Sequence, residues 1–282
     1  MTHPKAGGMV ADELDLRAYY ERGDESGRLD TPAGALEFVR TQEILRRSLP
    51  APGATVADVG GGAGRYSVWL AETGFRVLHR DLMPLHVEQA RALAAERGVS
   101  IAAEVGDARA LNIADSSVDA VLLLGPLYHL TSRSDRVRAL REAARIVRPR
   151  GPVFVAAISR WAPVLDGVLA KRIDRDYPDA LTLLDGVETT GVLPPLFPGS
   201  FTGFCHRPEE LQAEALHAGL DVVDLVSVEG PGATLSDLSE RWTIPDERAR
   251  ILDVARRVER VPELLGLGPH LLLTGRRPEA RA

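Results

Sequence analysis

The stretch VADVGGGAGRYSVWLAETGFRVLHRD, Val56 to Asp81, decides the fold. A short apolar run carries Asp58 near its end. Five small residues follow Val59: Gly60, Gly61, Gly62, Ala63 and Gly64. A helical pattern comes next, then a second apolar run that closes on Asp81. Glycine lets a chain turn sharply and leaves the backbone open to a ligand. The helix that starts after the turn offers unbonded N–H groups and partial positive charge. In an open parallel sheet, ligands bind at the carboxyl ends of the strands, where this turn sits.

The same punctuation recurs outward from the turn. ETGFRVL (72–78), ERGVSIA (96–102), RGPVFVAA (150–157) and HAGLDVVDLV (217–226) each end a helical pattern in Gly and pass straight into an apolar or β-branched run. Gly closes a helix in the left-handed conformation, and a short bounded apolar run reads as a buried strand. Helix, Gly, strand, repeated, predicts an α/β protein with a doubly wound parallel sheet. Strands are expected near 54–59, 75–80, 100–105, 118–124, 152–158, 221–228 and over HLLLTGRR at 270–277. Helices are expected near 11–22, 33–48, 63–73, 84–97, 133–147, 208–218 and 245–260. The rhythm breaks over 159–207, which is rich in Pro, Gly and Phe. The expected division is a helical cap (1–49), a cofactor-binding core (50–158), an inserted substrate lid (159–207) and the remainder of the α/β domain (208–282).

Bulk properties narrow the classes. The chain has 282 residues, 45% hydrophobic and 26% charged, which suits a globular protein with a real core. A net charge of −6 gives a nucleic-acid partner no general attraction. The single cysteine, Cys205, excludes an internal disulfide framework. The longest apolar stretch is too short for a bilayer and the N-terminus has no secretory apolar core, so a cytoplasmic protein without membrane contact is expected. No His/Cys cluster has metal-ligand spacing, so no metal is expected.

Two ligand classes want a glycine turn of this kind. A dinucleotide site needs G-x-G-x-x-G, but from Gly60 the third position is Arg65, and from Gly61 the pattern fails earlier. The pattern present is D-x-G-x-G-x-G: Asp58, Gly60, Gly62, Gly64. It resembles the first motif of the class I S-adenosylmethionine-dependent methyltransferases. Two further acids sit at strand tips. Asp81 has two oxygens with which to accept from the vicinal hydroxyls of a ribose. In that family an acid placed like Asp107, in VGDARAL, accepts from the adenine amino group, and the backbone beside it meets the ring. VDAVLLLGPLYHL then leaves the sheet at Gly125–Pro126, as small-molecule members of the family do. The resemblance covers Thr55 to Ile158 well. It implies a Rossmann-like seven-stranded sheet of order 3-2-1-4-5-7-6 with strand 7 antiparallel, and S-adenosylmethionine as cofactor. The cofactor-binding candidates are Asp58, Gly60, Gly61, Gly62, Gly64, Asp81, Leu82, Asp107, Ala108 and Gly125, with Tyr20 and Arg40 from the cap.

The resemblance implies methyl transfer to an O or N atom of a small organic acceptor. The sulfonium already activates the methyl, so orientation supplies much of the rate. A base is needed only where the acceptor carries a proton, and His129 and His206 are the candidates. Tyr128, Trp161, Phe197, Phe201 and Phe204 are candidate acceptor-binding residues in an apolar pocket. Glu229, after the sixth strand, is a further candidate for its far side. Three rival readings stay open at this point: a nicotinamide-dependent oxidoreductase, a protein that binds S-adenosylmethionine without turnover, and methylation of RNA or a protein, which the net charge disfavours. Oligomeric state is not legible.

Overall fold

The computed structural model describes residues 24–196 and 200–279. Tyr20 and Phe197, and the helix expected over 11–22, lie outside the described residues. Four parallel strands make the centre of the sheet: β1 (Thr55–Val59), β2 (Arg76–Asp81), β4 (Ala120–Leu123) and β5 (Pro152–Ser159). β3 (Ala102–Val105) adds in parallel outside β2. β1 lies between β2 and β4, with Asp58 level with His79 and Leu122. On the other side β9 (His270–Arg276) runs antiparallel between β5 and β8 (Asp221–Ser227). Counting β8 and β9 as the sixth and seventh strands, the order is the expected 3-2-1-4-5-7-6, with the seventh antiparallel.

The insertion adds two strands that the sequence did not disclose. β6 (Val192–Leu193) pairs antiparallel with β7 (Gly203–His206). β7 then pairs in parallel with the last residues of β5, Ile158 with Cys205 and Ser159 with His206. A wide helical turn of the π type (Pro163–Ala170) and α5 (Ala180–Thr190) lie between β5 and β6.

Residues of the central strands alternate between two cores, as a period of two requires. Val121, Leu123, Val153, Val155, Leu271 and Leu273 face α4 (Arg133–Ile146) and α6 (Pro208–His217). Ala120, Leu122, Phe154 and Leu272 face α1 (Pro32–Arg46) and α2 (Arg65–Glu72). Both faces are therefore covered, which is why these strands read as unbroken apolar runs. α3 (Pro84–Glu96) closes the β2–β3 crossover. α1 starts where Thr31 accepts the Gly34 N–H at 3.1 Å, and Pro32 takes the first helical position. At the opposite edge from the glycine turn, Asp119 accepts the Thr55 N–H at 2.8 Å.

Arg40 does not reach the glycine turn. Its guanidinium is buried between helix and sheet, donating to Val228 O at 3.2 Å and Glu259 Oε2 at 2.5 Å and pairing with Glu43. Those partners leave it no role at a cofactor carboxylate; it ties α1 to the C-terminal half of the chain. Arg40→Ala leaves Glu259 short of a buried partner and is expected to cost about 3 kcal/mol. A lowered urea midpoint with an unchanged slope checks this; an unchanged midpoint contradicts it.

Candidate active site

The glycine turn hangs from the tip of β2. Gly60 N and Gly61 N both donate to Arg80 O, at 2.7 and 3.3 Å, and Gly62 N donates to Asp81 Oδ2 at 2.9 Å. Gly60, Gly62 and Gly64 have φ of 69°, 55° and 88°, a region that favours glycine. A Cβ at Gly60 would lie 2.4 Å from the Pro126 ring, and one at Gly61 would lie 2.6 Å from His79 Nδ1 and 2.7 Å from Asp58 Oδ2. A Cβ at Gly62 would meet nothing within 4 Å, so the bare face of the turn opens onto space. Gly64 works differently. It does not line the cavity; its missing side chain lets α2 approach α3, since a Cβ would lie 2.7 Å from Ala90 Cβ.

Three carboxylates ring that space. Asp58 is buried beneath the turn; its Oδ2 accepts from Ser67 Oγ at 2.6 Å, and among the described residues its Oδ1 has no partner. Burial pushes this carboxyl above its ordinary range despite the neighbouring His79. Asp81 accepts from Met83 N at 2.8 Å and His86 Nδ1 at 3.0 Å as well as from Gly62. Burial alone would raise it, but the His86 ring and the two backbone donors outweigh burial and hold it below the usual range. Asp107 is gripped by Arg109, whose Nη2 lies 2.7 Å from Oδ2 and whose N–H lies 2.8 Å from Oδ1. Here too burial raises the carboxyl and the bonds to Arg109 bring it down.

A single cavity of about 330 Å³ joins these groups to the far end of the sheet edge. Asp58, Gly60, Gly61, Gly62, Asp81, Leu82, Asp107, Ala108 and Gly125 all line it. So do Tyr128, His129 and Phe201 at its other end. The Tyr128 hydroxyl donates to Leu124 O, and burial holds it un-ionised. His129 stands edge-on to Phe201, centroids 5.0 Å apart, and burial pushes its pKa down to about 4. At neutral pH it is an uncharged wall residue.

Three of the other candidates lie off this cavity. His206 is buried under the insertion, Nε2 3.2 Å from Glu214 Oε2, and the same Glu214 takes Arg136 Nη2 at 2.6 Å. Phe204 is buried between His206 and the Arg136 guanidinium, 3.5 Å from its ring centroid. Trp161 faces outward at the root of the insertion, with Arg207 across its ring at 5.9 Å. The insertion folds His206 and Phe204 onto an internal ion-pair network, and Phe201 reaches the cavity instead.

The cavity also holds residues that local sequence did not mark: Arg28, Tyr66, His86 and His270. His270 Nδ1 lies 2.5 Å from Glu229 Oε1 and 3.9 Å from Glu37 Oε2, and Glu37 pairs with Arg28. The donor atoms of Glu37, Glu229 and His270 all lie within 4.8 Å of one another. These residues are distant in sequence and meet only because β9 inserts antiparallel beside β5, which sets His270 level with Ile158.

Comparison with known proteins agrees with this arrangement. A family model described as a methyltransferase domain matches residues 56–151. A ubiquinone biosynthesis O-methyltransferase of Xanthomonas axonopodis pv. citri (strain 306) is 30% identical over 226 residues, 79% of this chain and 86% of that one. A ubiquinone/menaquinone biosynthesis C-methyltransferase of Acidiphilium cryptum (strain JF-5) is 38% identical over 122 residues, 42% of this chain and 48% of that one. The crystal structure of a SAM-dependent methyltransferase from Methanosarcina mazei superposes with a TM-score of 0.58 at 16% identity, over 83% of this chain and 97% of that one. With the matched strand order, the glycine turn and a relative matched at this identity over most of both chains, the chain belongs to the class I S-adenosylmethionine-dependent methyltransferases and is an enzyme of that family.

Proposed function

We propose that the protein transfers a methyl group from S-adenosylmethionine to an oxygen of a small organic acceptor. One observation carries this reading: a single cavity runs from the glycine turn to a wall of Tyr128, His129, Phe201 and His270. A space of this size takes small ligands rather than a polymer. The relative matched over most of its length is an O-methyltransferase, which supports oxygen as the target.

The residues present fit the cofactor. Asp58 Oδ1, buried and without a partner among the described residues, is an acceptor suited to the methionine ammonium. Asp81 at the rim would take the ribose hydroxyls, and Asp107 with Ala108 the adenine. The open face of Gly62 lets backbone approach the ligand. Bound there, the cofactor supplies a methyl already activated by the sulfonium. The chain's residues then have to hold the acceptor in line and exclude water. On this reading residues 159–207 are the lid of the acceptor side, with Phe201 its contact. Residues 1–49, 50–158 and 208–282 are cap, cofactor core and the rest of the sheet. Among the described residues no helix is long and apolar enough to cross a membrane.

Titration calorimetry with S-adenosylhomocysteine is expected to give micromolar binding. Asp81→Ala is expected to weaken it about tenfold or more, about 1.4 kcal/mol; equal affinity removes Asp81 from the ribose. Incubation with methyl-labelled cofactor and a panel of phenols, amines and carbon acids is expected to yield methyl ethers. Label found only on nitrogen or carbon overturns the oxygen reading.

A further inference from the structure

We propose that His270 is the catalytic group that takes the proton from the acceptor's hydroxyl, and that Glu229 positions it. This inference rests on the oxygen-directed reading above.

The geometry is that of a ring held by two points. Glu229 accepts His270 Nδ1–H at Oε1, 2.5 Å away, and the His270 backbone N–H at Oε2, 3.2 Å away. One carboxylate thus fixes both the strand start and the ring that projects from it. Glu229 is itself buried, and Gly268 lets the chain pack close beside it: a Cβ there would lie 2.6 Å from Ser227 Oγ and 2.9 Å from Gly230 N. With Nδ1 committed to Glu229, Nε2 is the ring nitrogen left to meet a ligand in the cavity that His270 lines. A carboxylate that fixes the tautomer of an imidazole, leaving its second nitrogen to move a proton, is a general base arrangement found on unrelated folds.

The surroundings match the task. The charged and titratable groups facing the ring are Glu229 from the loop after β8, Glu37 from α1, Arg28 from the turn before α1, and the un-ionised hydroxyls of Tyr66 and Tyr128. Burial alone would lower the imidazole, but Glu229 and Glu37 reverse this, against Arg28, and raise it to about 9. A phenol titrates at about 10. Donor and acceptor of the proton are therefore separated by roughly one unit, where an ordinary histidine at about 6.5 would leave more than three. His129, pushed to about 4, is far less basic, and His206 lies outside the cavity.

The step balances as follows. The acceptor O–H breaks and its proton passes to Nε2. The oxygen keeps that electron pair and takes the methyl, with the C–S pair left on the leaving sulfide. The imidazolium then gives its proton to water. Because the neutral ring is the base and its pKa is raised to about 9, kcat/KM on an acceptor that itself ionises near 10 is expected to rise about tenfold per pH unit and to level near pH 9.

The test uses the whole protein and 4-nitrocatechol, a phenol whose colour reports its ionisation. Imidazole NMR, with the signal assigned by its loss in His270→Ala, is expected to show His270 titrating well above the ordinary range. Glu229→Gln is expected to bring that value down and to move the acidic limb of kcat/KM with it. At a pH where the free dye is neutral, the wild type with S-adenosylhomocysteine is expected to bind it as the phenolate. His270→Ala and His270→Gln are expected to bind it as the phenol, with S-adenosylhomocysteine affinity kept and kcat reduced about 10²-fold or more. The Gln variant keeps a donor toward Glu229 and guards against a folding defect. Ether formed by either variant at the wild-type rate overturns the role of His270, as does an ordinary titration of its ring. Activity lost to a chelator and restored by magnesium also overturns it, by making Glu37, Glu229 and His270 a cation site. Label on nitrogen or carbon with an intact His270 titration marks failure of the oxygen reading instead.

Discussion

Every part of the site depends on the suspension of one turn from the tip of its neighbouring strand. Three successive N–H groups, of Gly60, Gly61 and Gly62, donate to Arg80 O and the Asp81 carboxylate. Peptide N–H groups buried without partners are costly, so these bonds fix the path of the turn. The same carboxylate also takes Met83 N and His86, which starts α3 and orients the rim. A side chain at Gly60 or Gly61 would strike Pro126, His79 or Asp58, so glycine at those two positions is a requirement of the packing.

The fold was largely legible because its signals are local. Gly74, Gly98 and Gly219 all adopt the left-handed conformation just before an apolar run, as the recurring helix–Gly–strand junction implied. Strand boundaries moved by only a residue or two, as between the expected 75–80 and the observed Arg76–Asp81. The insertion was not legible. α5, ALTLLDGVETT, mixes helix formers with Gly and β-branched Thr and Val, and β6 and β7 are stabilised by pairing with each other and with β5 rather than by intrinsic pattern.

The site divides in the same way. The proposed cofactor half comes from three consecutive strand tips, and Asp58, Asp81 and Asp107 could be named from their places at those tips together with the family resemblance. The proposed acceptor half is assembled from residues 28, 37, 128, 201, 229 and 270, which no window of sequence contains. His270 is the sharpest example. It opens HLLLTGRR like any strand-end residue, and only the antiparallel run of β9 carries it to the cavity. His206 and Phe204 went the other way. Their aromatic, Pro-rich setting looked like a pocket, yet Arg136 and Glu214 bury them in a closed network.

The insertion leaves and rejoins the sheet at one place. Ser159 is level with His206, Arg160 N donates to His206 O at 2.7 Å, and the Arg160 guanidinium reaches Cys205 O, Glu188 O and Glu210. Entry and exit are thereby riveted side by side, away from the β1–β2 edge. Such a joint makes the intervening chain an exchangeable cassette. Changes of length or content between those two borders therefore leave the register of the central strands, and the turn at the tip of β1, where they are.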